Sequence, residues 1–369
     1  MTYPHALRYL TAPSVVTDQA TGAVPLTVKF SQIPVLLCFT RNKLGSAAAS
    51  LVAAILHQAG ISCLHWIDDE ALEPKSRFRI DGRPITPPLL SRHAANWQAA
   101  ARARGCNDIR EERCAGVLSL CAAESNCRII LLESPLSVCH VGYFHAINKK
   151  IKAISVLSDG HEIARAAKNP ATTEIITPAY GRAMHSQITD ICAGNDGKMV
   201  TIPTSAVRQT AVSLGSQTVT YADKTGERHY RLPSASSVAT DAAAMALYGI
   251  HSLRERGFSI PEDAIGKGLL GATLSHCGSV YSMEPLILTH LATDENALSR
   301  IAADLAVMQA CAPLPLTVWA ESESTVWPPD VAIHTRPEWP TEASALVLVG
   351  SFGWIEDKLS RRETKKRQK

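Results

Sequence analysis

Aromatic residues are scarce, at 5% of the 369-residue chain, and charged residues reach only 19%. Neither a highly charged disordered chain nor a fibrous repeat fits that composition, and a globular core of aliphatic side chains follows from it. Long apolar runs are also missing. The longest, Ile33–Phe39 and Leu51–Leu56, fall far short of the roughly 20 residues that a membrane helix needs. The opening Met1-Thr-Tyr-Pro-His-Ala-Leu-Arg-Tyr-Leu10 lacks the basic start, apolar stretch and small-residue cleavage site of a secretory leader, so a cytoplasmic protein is expected. Ten cysteines are present but form no C-x-x-C pair, and no histidine stands at zinc-finger spacing. Buried, reduced thiols are expected.

The net charge of +3 hides an asymmetry, because the segment Arg361–Lys369 alone carries +5 and the body is left at −2. A body of that sign is not a nucleic-acid platform, and no membrane contact is expected of it. Residues 363–369 read as a basic, disordered, solubilising tail.

Val35-Leu-Leu-Cys-Phe39 is a continuous apolar run of the buried-strand type, followed by a helical pattern over Ala47–Gln58 and a further strand at Ile61–Ile67. Strand, turn, helix and strand within about thirty residues make a parallel βαβ unit and predict an α/β fold with a mostly parallel sheet. Asp81-Gly82 predicts a hairpin turn within Arg77–Ile85. Helices are predicted over Leu89–Arg104 and Glu112–Ala123. The strand Cys127–Ser134 then ends in a carboxylate, at the edge where open α/β sheets bind ligands.

More strands are predicted at Ile151–Leu157, Thr173–Ile176 and Lys198–Ile202, then a polar β-leaning stretch at Gln217–Arg231. Val238, Ala242, Met245, Gly249 and Leu253 recur at helical spacing, and Ser259-Ile-Pro-Glu262 has capping-box spacing for a second helix. A smaller α/β pattern follows, with strands at Pro285–Thr289, Leu314–Ala320 and Ala345–Gly350 and helices over Asn296–Ala310 and Trp354–Arg362. Domains are accordingly expected at residues 1–278 and 279–362.

Across roughly 30–362 this order resembles the folylpolyglutamate synthase and dihydrofolate synthase branch of the Mur ligase superfamily. Four stretches carry the resemblance: the strand-turn-helix Val35–Gln58, at the place of the family's G-T-N-G-K-G-S phosphate loop; Ser76-Arg-Phe-Arg-Ile-Asp-Gly-Arg-Pro-Ile85, similar to E-R-I-x-I-N-G-x-x-I; the paired helices of Val238–Leu270; and Val347-Leu-Val-Gly-Ser-Phe352, similar to the closing strand with its glycine-serine turn. The resemblance implies a Mur ligase-like central domain with a P-loop-like strand-turn-helix and a Rossmann-like C-terminal domain. It also implies ATP and Mg2+ as cofactors, and a folate-like acceptor that is joined to glutamate through an acyl phosphate.

The same resemblance assigns Thr40, Lys43, Gly45 and Ser46 to the nucleotide loop, Ser46, Glu133 and His161 to magnesium, and Lys168, with His161, to catalysis. Several of the family's residues are missing. Its loop glycines stand as Phe39, Asn42 and Leu44, and a phenylalanine ring and a leucine are expected to crowd the phosphates, whereas Asn42 can take the left-handed conformation. The junction glycine-arginine pair reads Gly278-Ser279, and D-G-A-H-N falls on Thr289-His-Leu-Ala-Thr293. Ser158, Asp159 and His161 are too compressed for a hydrolase triad, and His140 with His145 lacks a zinc-type donor set.

Three readings follow. The chain is a folylpolyglutamate synthase-like scaffold with a degraded ATP site, which can persist as a binding protein for a small molecule or a protein partner. Alternatively, it is an active ATP-dependent amide ligase working through Lys43, Glu133 and His161, or an unrelated α/β binding protein.

Overall fold

A computed structural model describes residues 1–13, 28–69, 72–104, 109–134, 137–178, 182–213, 215–223, 226–274, 277–283, 286–292, 295–311, 316–321, 327, 331–334 and 345–367. The chain divides into two compact units, one formed by residues 1–204 and 245–268 and the other by 205–244 and 269–369. The second unit therefore draws residues 205–244 from the stretch that the sequence pattern assigns to the first domain.

In the first unit the elements run α1 (Tyr3–Thr11), β1 (Val35–Thr40), α2 (Lys43–Gln58), β2 (Cys63–Ile67), β3 (Phe78–Ile80), β4 (Arg83–Pro84), α3 (Pro87–Arg104), α4 (Arg110–Glu124), β5 (Ile129–Ser134), α5 (Ser137–Ile147), β6 (Lys152–Val156), α6 (Gly160–Lys168), β7 (Thr172–Pro178), α7 (Arg182–Gly194) and β8 (Lys198–Ile202). The eight strands form one sheet in the order β4-β3-β2-β5-β1-β6-β7-β8, parallel from β2 to β8. β1, β2 and β5 are buried almost throughout, because helices cover both faces, and this is why they read as unbroken apolar runs.

Alternation along the strands divides the core. Leu36, Cys38, Leu64, Trp66, Ile130 and Leu132 meet side chains of α1, α3, α4 and α5 on one face. Leu37, Phe39 and Leu131 point to the other. The hairpin turn is as the Asp-Gly pair predicts: β3 and β4 pair antiparallel, with Asp81 at φ 51° and Gly82 at φ 77°, the pair of positive angles of a type I′ turn.

Four of the first unit's helices, α1, α5, α6 and α7, escape the periodic reading, the first three for different reasons. α1 carries a proline in its first turn and buries Ala6 and Leu10, a stripe too short to register as a pattern. α5 (Ser-Val-Cys-His-Val-Gly-Tyr-Phe-His-Ala-Ile) is poor in helix formers, and the burial of Val141 and Phe144 overrides its propensity. α6 begins where Asp159-Gly160 reads as a turn. Asp159 instead caps the helix, its carboxylate accepting the Glu162 N–H at 2.9 Å.

The second unit starts with an antiparallel meander, β9 (Val207–Ser213), β10 (Ser216–Asp223) and β11 (Gly226–Leu232). Two helices then cross the boundary between units in sequence, α8 (Ser237–Glu255) and α9 (Glu262–Gly271). β12 (Cys277–Met283), β13 (Leu286–Leu291), α10 (Glu295–Cys311), β14 (Leu316–Ala320), β15 (Ala332–Ile333), β16 (Ala345–Gly350) and α11 (Phe352–Arg367) complete it. Its five-stranded sheet has the order β12-β13-β16-β14-β15, parallel except for β12. Leu298, Ile301, Leu305 and Met308 of α10 pack on it, the face that their spacing predicts. Asp304 on the same helix caps α8, accepting the Ser237 N–H at 3.1 Å and the Ser236 hydroxyl at 3.0 Å. α11 runs on to Arg367 instead of ending at Arg362, so most of the basic segment continues a helix whose C-terminal end suits positive charge.

α3 and α4 pack closely at Gly116. A Cβ added to Gly116 would stand 2.0 Å from the Trp97 ring, and Trp97 is 1% exposed. Gly116→Ala is therefore expected to lower stability by about 1–3 kcal/mol in urea unfolding, through overpacking. The cost of Gly116→Ala should be smaller when it is measured in a background with a smaller side chain at position 97, as a double-mutant cycle reads it.

Candidate functional site

β1 lies between β5 and β6, while the chain leaves β1 for β2 on the far side of β5. The crevice outside the carboxyl ends of these strands is where an open α/β sheet binds ligands. Between β1 and α2 stand only Arg41 and Asn42. Their backbone groups are committed inside the protein: the Arg41 N–H donates to Ser134 O at 2.9 Å and the Asn42 N–H to Thr40 O at 2.9 Å. Asn42 caps α2, its side-chain oxygen accepting the Gly45 N–H at 2.8 Å and its carbonyl the Ser46 N–H at 2.8 Å.

Asn42 is extended, at φ −143°, and not left-handed. A cap needs β-region geometry, which explains the difference. Gly45 is required by proximity, since a Cβ there would lie 2.1 Å from the Thr40 carbonyl oxygen.

The side chain that fills the crevice is Arg41. Its Nη1 donates to Glu133 Oε1 and, at 2.8 Å, to Ser46 Oγ, while Nη2 donates to Asp69 Oδ2. Glu133 ends β5, Asp69 follows β2 and Ser46 lies in the first turn of α2, so one guanidinium joins three elements. Phe39, by contrast, is 0% exposed and sits within the sheet core, so its ring is not the obstructing group that the sequence leads one to expect.

Glu133 is 2% exposed, and its second oxygen lies 3.4 Å from His65 Nε2. Burial alone would raise its pKa, but His65, Arg41 and Ser46 outweigh burial and bring it from 4.5 to about 2. Arg41 is likewise held charged, because Glu133 and Asp69 overcome the desolvation that would lower its pKa.

A second polar cluster adjoins the first. Asp68 pairs with Arg110 of α4 and accepts the Ser134 hydroxyl at 3.2 Å, and the buried His140 of α5 has Nε2 at 3.8 Å from Asp68 Oδ2. The His140 ring stands edge-on to Trp66, with centroids 4.7 Å apart.

The structure brings Ser46 and Glu133 together through Arg41. Thr40 ends β1 and Lys43 opens α2. His161 is exposed in the first turn of α6, and the Ser158 hydroxyl just before that helix accepts from Asn42 Nδ2 at 3.2 Å. Lys168 is the last residue of α6, about 10 Å along the helix axis from His161 and toward the opposite edge of the sheet. Among the described residues no group of three or more His, Cys, Asp or Glu is placed to hold a metal ion. No described helix is long and apolar enough to cross a membrane. His290 lies within β13 and is fully buried, while Thr293 is outside the described residues.

Arg41, Asp69, His65, Asp68 and Arg110 are absent from the sequence-based list of site residues. A usable signal existed for two of them: Asp68-Asp69 follows an apolar strand in the same manner as Glu133 closes one.

No protein-family model and no curated protein matches the chain. Solved structures do. Folylpolyglutamate synthetase from Lactobacillus casei superposes with a TM-score of 0.72 at 15% identity, covering 97% of this chain and 100% of that one. The Thermotoga maritima folylpolyglutamate synthase gives 0.70 at 15% identity, with 97% and 96% covered. E. coli FolC in complex with DHPP and ADP gives 0.68 at 15% identity, with 99% of each chain covered. The chain has the two-domain α/β fold of the folylpolyglutamate synthases, at 15% sequence identity to each of these three.

The low pKa of Glu133 sets the sign of an acid effect. A carboxylate whose folded pKa is depressed adds stability that is fully present above its unfolded pKa and disappears as pH falls through the folded one, here from about 4.5 down to about 2. Urea midpoints measured from neutral pH to pH ~3 should fall with acid in the wild type, out of a total of roughly 3 kcal/mol. Glu133→Gln should be less stable at neutral pH and show a flatter acid limb. Parallel limbs in the two proteins would contradict the assignment.

Proposed function

We propose that the chain is a folylpolyglutamate synthase-like protein with a degraded ATP and Mg2+ site, and that it does not carry out the ligase reaction. The observation that carries this reading is the two-residue β1–α2 turn, in which the N–H groups of Arg41, Asn42, Gly45 and Ser46 are all bonded within the protein. A phosphate cradle needs several such groups converging on open space. The crowded Gly45 leaves the turn no slack, since the start of α2 rests directly on the end of β1.

The fold supports the rest of the reading. Structural relatives are described as an AMPPCP–folate complex and as a complex with DHPP and ADP, which favours a folate-like small molecule as the ligand of this scaffold. Glutamate and a protein partner are further candidates. A second reading, an active ATP-dependent ligase, is favoured by Lys43 at the start of α2 and by Ser46 and Glu133 in one crevice.

The two readings diverge in a coupled assay. Purified protein given Mg-ATP, glutamate and dihydropteroate should release no ADP above the protein-free background, and millimolar Mg-ATP should leave its melting temperature unchanged. A nucleotide bound at a hundred times its Kd would instead add about 2.7 kcal/mol. ADP release that disappears in Lys43→Ala would overturn the proposal and establish the active ligase.

A further inference from the structure

Glu133 and Asp69 belong to different strand ends, and each gives an oxygen to the same guanidinium, which also donates to Ser46 Oγ at 2.8 Å. Two carboxylates and a hydroxyl form a hard-oxygen set of the kind that a magnesium-class ion takes, with waters completing its shell. A separate observation points at the same place. His65 is 7% exposed and its Nε2 lies 3.4 Å from Glu133 Oε2. One oxygen of Glu133 is thus bonded to Arg41 and the other is faced by a histidine ring. In this arrangement the residues do not fit a divalent ion.

We propose that the Arg41 guanidinium is the resident cation of this crevice and keeps divalent metal off Glu133 and Asp69. The inference rests on the reading of a closed nucleotide site and adds the agent that closes its metal half. Arginine suits the task because its planar fork reaches several oxygens at once and does not lose its proton at any ordinary pH. The side chain is 27% exposed, so it reaches solvent on one side while its donors face inward. Nothing covalent holds it there. The carboxylates behind it keep a cation site that any loss of the guanidinium would open.

Manganese titration of the full chain without nucleotide, read by the electron paramagnetic resonance signal of free Mn2+, tests this. Wild-type protein should leave the signal unchanged at millimolar Mn2+. Arg41→Ala should acquire one site that binds at least about tenfold more tightly than anything in the wild type, and Arg41→Ala/Glu133→Gln should lose it again. If Arg41→Ala does not fold, Arg41→Gln, uncharged and shorter by little, is titrated in its place. Binding by the single variant that is no better than wild type overturns the proposal. So does a wild-type site that Glu133→Gln removes. ADP release by the wild type would refute the closed-site reading in a different assay, so the two failures are distinguishable.

Discussion

A carboxylate that is 2% exposed cannot stand alone, and the candidate site is arranged around that constraint. Removing one partner from a buried ion pair typically costs about 3–5 kcal/mol, because the remaining charge is stranded. Glu133 meets this demand with Arg41 and His65. The same guanidinium reaches Asp69 and Ser46, so neutralising Glu133 also ties the end of β2 and the start of α2 to the end of β5. The short β1–α2 turn is what places Arg41 there: with two residues between strand and helix, its side chain is delivered directly over the sheet edge.

The opposite edge of that sheet offers an instructive parallel. Glu174, near the start of β7, is 3% exposed and accepts from Ser252 at 2.5 Å, with Lys198 at 3.2 Å and Arg256 at 3.3 Å. This carboxylate is also saturated by cations, yet it lies away from the ligand-binding edge and serves to tie the end of α8 to the sheet. Neutralised buried carboxylates are therefore a structural habit of this unit. Lys198 is likewise shared with a second carboxylate, Glu255, and Arg256 with the Thr173 hydroxyl, so what distinguishes Glu133 is its position at the strand-end crevice.

Much of the fold is legible in the sequence, because most of its signals are local. Strands buried on both faces appear as unbroken apolar runs, as at Ile129–Leu132. Asp81-Gly82 is itself the turn, and the face of α10 is written in its spacing. Glu133 stands out as a charge at the end of such a run. Arg41 does not, because its meaning depends on Asp69 and Glu133, which are 28 and 92 residues away and approach it only in the folded sheet. The same limit applies to α5, whose helix arises chiefly from packing against α4 and β1 and opposes its own propensity. The steric argument at Phe39 fails for a related reason: strand alternation turns that ring into the core, and the crowding group is its second neighbour.

The account reduces to one occupant of one crevice. A crystal structure of the wild-type protein grown with millimolar AMPPCP and MnCl2, with anomalous data collected near the manganese edge, tests it most directly. The account predicts no nucleotide at the turn after β1, no anomalous peak beside Glu133, and the Arg41 guanidinium still held between Glu133 and Asp69. A manganese peak against Glu133, with Arg41 swung away and phosphate oxygens at Lys43, would contradict it.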